Sequence, residues 1–204
     1  MLVAEDLAAQ RGNALLFEGV QFSLRPGAAM FVSGPNGSGK TTLLRIAAGL
    51  TRALRGRLVW DGSAVDPFAS ILRAVTLFIG HATALKDELT AEENLASLVS
   101  LHGAPAEAES LSAALSEWSL ARQRRLPARA LSQGQRRRVA LARLRLLARP
   151  LWILDEPLTA LDAAGVAALR EVVGEHLASG GMAVIATHQE FAPVGGTSLS
   201  LRLQ

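Results

Sequence analysis

Apolar residues recur along this chain with two periods, and the change between them divides it into regions. Near the start the period is two. In ALLFEGVQFSL (14–24), Leu16, Glu18, Val20, Phe22 and Leu24 alternate with Phe17, Gly19, Gln21 and Ser23, a pattern that predicts strands of an antiparallel sheet. LVAEDLA before it reads as a strand too. Arg25-Pro26-Gly27 supplies a turn, AMFVS (29–33) a further strand, and a glycine-rich loop then leads into TTLLRIAAGL (41–50), spaced as a helix. GRLVW (56–60) ends at the turn Asp61-Gly62, and VTLFIG (75–80) gives one more strand.

The middle of the chain takes the helical period, with acidic first turns in LTAEENLASLVSLHG (89–103) and PAEAESLSAALSEWSL (105–120). A third helix is expected from Gln133 to Ala148, with Val139, Ala142 and Leu146 on one face and Arg138, Arg145 and Arg149 on another. LWILD (151–155) and MAVIAT (182–187) are short, wholly apolar runs of the kind that fill buried strands, separated by a helix over 162–180 closed by Gly180-Gly181. The tail TSLSLRLQ alternates like an edge strand. Strands interleaved with helices imply a parallel sheet with crossovers. The expectation is one α/β domain over 1–204: a mixed core sheet, a small antiparallel β subdomain, and an inserted helical subdomain at about 86–147.

Composition removes several alternatives. Half the residues are hydrophobic, yet no run approaches the roughly 20 apolar residues that a spanning helix needs. The amino terminus carries two acids and no basic segment before an apolar run, so it does not read as a secretory signal. There is no cysteine, hence no disulfide framework, thiolate metal site or redox pair. The net charge of +3 is mild, but 19 of the 21 basic residues are arginine and only Lys40 and Lys86 are lysine. Ten arginines fall between Arg122 and Arg149. That segment admits a solvated helix face, a nucleic-acid patch, or a surface facing anionic headgroups or the phosphates of a dimer seam. Arg136, Arg137 and Arg138 fan out by about 100° per residue rather than forming a stripe, and no aromatics are interleaved, so no nucleic-acid partner is expected.

Gly34-Pro35-Asn36-Gly37-Ser38-Gly39-Lys40-Thr41 fits G-x-x-x-x-G-K-[ST] at every fixed position, between a predicted strand and a predicted helix that begins at Thr41-Thr42. A loop of this kind curls its amides inward into an anion nest at the helix N-terminus. Lys40 reaches the β- and γ-phosphates and the Thr41 hydroxyl is placed to ligate Mg²⁺. The apolar strand 151–154 ends in Asp155-Glu156, an acid pair suited to holding a metal and polarising a water, although any buried strand can end in an acid. LSQGQ (131–135) sets the Ser132 hydroxyl, the Gly134 amide and Gln135 at a helix start, either as a second anion surface or as a plain N-cap.

The order of a complete P-loop, LSQGQ, the strand ending in Asp155-Glu156, Thr159-Ala160-Leu161-Asp162 and Thr187-His188 resembles the ATP-binding subunits of ABC transporters over nearly the whole chain. That resemblance implies a P-loop ABC ATPase fold using ATP and Mg²⁺. It makes LSQGQ the signature motif, Ala160 to Asp162 the D-loop, Glu156 the residue that polarises the attacking water, and His188 the switch histidine on the γ-phosphate. It also implies that two copies sandwich two ATP molecules, each P-loop facing the other's signature motif.

Two positions depart from the family pattern. His81 stands where a glutamine normally contacts metal and water, and is either a replacement or a surface-loop histidine. Arg11 stands near the usual adenine-stacking aromatic, in a chain with no tyrosine, where a guanidinium plane could stack instead. IGH, LTAEENL, RRRVALARL, PLWILDEPLTALD and THQ look like the haem-exporter subunits of cytochrome c maturation. That narrower resemblance implies haem export or delivery in cytochrome c-type biogenesis, with integral membrane permeases on separate chains and a peripheral location on the cytoplasmic face of a bacterial inner membrane. The alternatives are another ABC importer or exporter cassette, or a soluble non-transport ABC ATPase for cofactor assembly. His102 and His176, in helical segments with no paired ligand in view, read as ordinary surface residues.

Overall fold

The computed structural model describes residues 1–189 and 191–204. The chain divides into two compact units: Met1–Phe78, Arg149–Glu156 and Val173–Gln204 form the first, and Ile79–Ala148 with Pro157–Val172 the second. The chain opens with β1 (Leu2–Arg11), β2 (Ala14–Leu24) and β3 (Ala28–Ser33), enters α1 (Lys40–Ala47), and continues through β4 (Arg55–Trp60), β5 (Ser63–Val65), α2 (Ser70–Val75) and β6 (Thr76–Ile79). Helices α3 (Ala91–Ser100), α4 (Ala108–Glu117), α5 (Gln133–Leu141) and α6 (Arg143–Leu146) follow, then β7 (Leu151–Asp155), α7 (Ala163–Ala178), β8 (Met182–Ala186) and β9 (Thr197–Arg202). This is the α/β fold expected from the alternation of strands and helices.

The first unit holds two sheets, one ordered β2-β1-β4-β5 and the other β6-β7-β8-β3-β9. The first is antiparallel at β1/β2, β1/β4 and β4/β5; the second is parallel at β7/β8, β8/β3 and β3/β9. Every residue of β7 and β8 is buried, as for strands covered on both faces. Strand β9 is the edge strand expected of the tail, and it runs parallel to β3. The simple alternation read in β2 breaks its phase: Phe17 is buried, then Val20 and Leu24. The register against β1 shifts between Leu7 and Ala9, where the three steps from Val20 to Phe17 face two on β1, and an extra residue of this kind turns its neighbours to the other face.

Helix α1 fixes the loop before it. Leu43 and Leu44 are fully buried in one cluster with Leu151, Ile153 and Val184. At roughly 2 kcal/mol for each buried leucine side chain, these contacts hold the helix against β7 and β8 and so place its N-terminus.

In the second unit the helix starts are written in the sequence. Thr90 accepts from the Glu93 amide while the Glu93 carboxylate accepts from the Thr90 amide, a reciprocal cap for α3. Buried Asn94 ties down the preceding loop, donating to the carbonyls of Lys86, Leu89 and Thr90 and accepting from the Lys86 amide.

The single helix expected over Gln133 to Ala148 is a correction, since α5 ends at Leu141 and a short α6 follows. Arg145 donates to Ala142 three residues back, which tightens the turn, and Leu147 is extended as Pro150 approaches. The short α2 is an element the sequence pattern did not single out. Among the described residues no helix is long and apolar enough to cross a membrane.

Candidate nucleotide site

The loop between β3 and α1 is shaped by close approaches. Gly39, at φ +93°, has Phe17 and Leu16 so near that a Cβ would lie 2.9 and 3.0 Å from them; only glycine fits both the space and the left-handed backbone. It is also the N-cap of α1, with no side-chain cap bond. The first amides of that helix are therefore not occupied by a capping side chain. Lys40 is 8% exposed, and its ammonium donates to the carbonyls of Gly34 at 2.9 Å and Pro35 at 3.0 Å. Ser38 is buried, and its hydroxyl has no hydrogen-bond partner among the described residues. Pro35, Asn36 and Gly37 are exposed at the tip, and Thr42 is half-buried one residue beyond Thr41.

Strand β7 carries the acids to the same place. Thr41 Oγ1 donates to Asp155 Oδ2 at 2.9 Å across 114 residues of sequence. Asp155 is 2% exposed. Glu156, the next residue, has φ +49°, an uncommon backbone for a side chain with a Cβ, and its amide donates to Ala186 O at 2.9 Å. Beyond β8, the Thr187 hydroxyl accepts from the Gln189 amide, and His188 Nε2 lies 3.4 Å from Glu156 Oε1. P-loop, both acids and the histidine thus share the first unit. Among the described residues no group of three or more His, Cys, Asp or Glu side chains is placed to hold a metal ion by itself. One hydroxyl and one carboxylate side by side suit Mg²⁺, a hard cation that keeps waters and takes substrate phosphates as its other ligands.

LSQGQ is organised within the second unit. Ser132 Oγ accepts from the Gln135 amide at 3.2 Å and Gln135 Oε1 accepts from the Ser132 amide at 2.9 Å, a complete capping box on α5. Gly134 lies against the D-loop: a Cβ there would sit 2.5 Å from Ala160 O. Asp162 Oδ1 accepts from the Gly165 amide at 2.9 Å, capping α7, and pairs with Arg138. That amide, then the guanidinium, holds the Asp162 carboxyl below its ordinary range. His81 and Arg11 are both exposed. Arg11 ends β1, opposite Ala14 across the two-residue turn Gly12-Asn13.

The arginine segment is not a uniformly solvated face. Arg137 and Arg143 are 3% and 6% exposed, and burial, helped by the nearby charge of Arg137, pushes the Arg143 guanidinium down to about 10. The signal was present in the spacing. Arg137, Ala140, Leu141 and Leu144 stand at i, i+3, i+4 and i+7, which puts the arginine on the apolar stripe. His176 is a second correction: it stacks on Trp152 with ring centroids 3.7 Å apart and an interplanar angle of 1°, and Nε2 donates to Met182 O. His102 is half-buried, with Nδ1 3.1 Å from Leu98 O.

A strand, an anion-binding loop, a helix, and a second strand whose acid meets the loop's threonine define a P-loop nucleotide-binding protein. Residues 17–159 match the ABC transporter family model. The chain is 47% identical, over 93% of its length and 89% of the relative's, to the cytochrome c biogenesis ATP-binding export protein CcmA of Nitrosomonas europaea. With the protein of the same name from Pseudomonas putida it is also 47% identical, over 98% and 96% of the two chains. The chain belongs to the ABC transporter family, in its CcmA-type branch. Among solved structures, a putative ABC transporter ATP-binding protein from Pyrococcus furiosus superposes with a TM-score of 0.83 at 24% identity, covering 98% of this chain and 96% of that one. A dimeric ATP-binding cassette in a post-hydrolysis state with ADP and Pi gives 0.77 at 24% identity, covering 93% and 88%. Both show the fold.

Proposed function

We propose that this chain is the ATP-hydrolysing subunit of a membrane transporter for haem export or delivery in cytochrome c-type biogenesis. The observation that carries the ATPase reading is the bond from Thr41 to Asp155. It sets a hydroxyl and a carboxylate together beside a loop whose buried Ser38 hydroxyl lacks a partner among the described residues. In this reading Gly34 to Thr42 cradle the ATP phosphates, and the Lys40 ammonium turns from the carbonyls of Gly34 and Pro35 to the β- and γ-phosphates. Thr41 and Asp155 hold Mg²⁺, whose charge screens the phosphate oxygens when it is bound. Glu156 accepts the proton of the attacking water as the oxygen bonds to the γ-phosphorus and ADP leaves. His188, 3.4 Å from Glu156, steadies that carboxylate and donates to the γ-phosphate. Arg11 lies by the adenine and His81 by the attacking water.

Ser132, Gly134, Gln135 and Asp162 serve the ATP held by a second copy. The Ser132 hydroxyl accepts a backbone bond in its capping box yet keeps its own proton to donate, so the motif caps its helix and can still bind an anion. A cassette of the same fold is itself described as dimeric in a post-hydrolysis state with ADP and Pi. The names of the CcmA relatives support the cytochrome c role. The partners in this reading are integral membrane permeases on separate chains, with the subunit peripheral on the cytoplasmic face of a bacterial inner membrane. The test pairs two measurements on the full chain. Glu156→Gln protein in saturating MgATP is expected to dimerise by light scattering, and tagged wild type to bring integral membrane proteins out of mild-detergent extracts, whose deletion stops haem attachment to cytochrome c. A monomer under all conditions defeats the sandwich; normal cytochrome c after the deletion defeats the haem role.

A further inference from the structure

Arg137 has no part in the chemistry just described, yet it is the most enclosed of the three consecutive arginines. Its fork reaches the loops that follow β6 and β7. Nη1 donates to Gly80 O at 2.8 Å and to His81 O at 3.3 Å, and Nε donates to Pro157 O at 3.3 Å. Gly80 and His81 follow β6, and Pro157 follows Glu156. Both segments lie where the chain enters the second unit, at Ile79 and at Pro157. An apolar residue on this stripe of α5 would fill the space without desolvating a charge. What the guanidinium adds is geometric, because a rigid planar fork fixes the angles of several acceptors at once.

One neighbour needs such fixing. Glu156 holds a left-handed backbone, φ +49°, and strain of that kind persists only where the surroundings over-determine it. Here the residue is bracketed. On one side its amide donates to Ala186 O; on the other, the carbonyl of the very next residue is held by Arg137.

We infer that Arg137 is a positioning residue for ATP hydrolysis, joining the His81 loop to the Glu156-Pro157 corner so that the Glu156 carboxylate keeps its aim at the attacking water. The inference rests on the ATPase reading above for the role of Glu156. Without Arg137 the two loops move independently and the base is displaced, while the P-loop keeps its affinity for nucleotide.

Arg137→Ala, Arg137→Lys and Glu156→Gln are compared in the full chain. Arg137→Ala is expected to lower kcat about tenfold or more with KM for MgATP within about twofold, the signature of a step other than binding. Arg137→Lys, which keeps the charge but not the fork, stays below half of wild type. Millimolar guanidinium raises turnover in Arg137→Ala and leaves Glu156→Gln unchanged. In hydrogen exchange, peptides over residues 79–82 and 157–161 lose protection together. A purely structural role would lower Tm without the split between kcat and KM or the rescue, and should the alanine variant not fold, Arg137→Lys carries the same comparison. Unchanged kcat in Arg137→Ala beside lost turnover in Glu156→Gln overturns the inference and leaves the ATPase reading standing. Full turnover in Glu156→Gln overturns that reading, and loosening of only one loop, or of neither, then overturns the clamp by itself.

Discussion

Two helix starts in this molecule, those of α1 and α5, are finished differently. Helix α1 begins at a glycine N-cap with no side-chain bond to its amides. Helix α5 begins at Ser132 with a reciprocal cap from Gln135. An uncapped N-terminus leaves its donors and the positive end of its dipole to a ligand, whereas a capped one is stable by itself and offers only surplus donors. In the proposed function the first is built around the nucleotide, and the second is complete before a nucleotide arrives. Removing a charge at the first should destroy function with little loss of stability, and removing an atom at the second should lower both.

The largest effect is expected at Lys40. Lys40→Ala should abolish ATP turnover while Tm stays near wild type; normal hydrolysis in that variant would refute the assignment of the loop. Next is Gly134→Ala, which forces a methyl against Ala160 O. Overpacking of this kind costs about 1–3 kcal/mol, and turnover should fall while a fluorescent ATP analogue binds the P-loop as before; if analogue binding falls in parallel, the two helix starts are not separable. Ser132→Ala should cost about 1 kcal/mol of cap energy, a fall in Tm of about 2–4 °C in a chain of this size, together with weaker ATP-dependent dimerisation. An unchanged Tm would show that the box is not closed in solution.

The smallest expected effect lies away from both starts, at His176. Burial, the larger influence, lowers its affinity for a proton, against the opposing bond to Met182 O. Below its ordinary value near 6.5 the unfolded chain binds the proton and the folded chain resists it. Stability from this residue is therefore complete above that value and declines as pH falls toward the lowered folded value. Urea midpoints should drop between pH 7.5 and 5.5, and His176→Gln should flatten that part of the profile; an equal drop in the variant assigns it to other groups.

Much of this was legible from patterns that local chemistry dictates. The apolar runs of β7 and β8 read as buried strands because parallel strands are covered on both faces, and Thr90-x-x-Glu93 spells its own cap. The loop from Gly34 to Thr41 was legible in the sequence because its fixed positions form one contiguous pattern, although the contacts of Gly39 with Phe17 and Leu16 were not. What stayed hidden depends on partners distant in the chain. The bulges that dephase β2 arise from its register with β1. The break at Ala142 follows from a turn that tightens only when folded. A charged or polar type normally reports exposure, so His176 reads as a surface residue and only its spacing sets Arg137 apart; the carbonyls and the tryptophan that admit the two side chains come from elsewhere in the fold.

The scarcity of lysine has a practical consequence once Lys40 is seen enclosed between two carbonyls. Amine-selective acylating reagents find two lysine side chains in this chain, Lys86 and Lys40; Lys86 is exposed and Lys40 is 8% exposed. Slow acylation of the peptide that carries Lys40, beside faster acylation of the one that carries Lys86, therefore reads by mass spectrometry how tightly the loop is closed, without radiolabel, engineered cysteine or fluorescent tag.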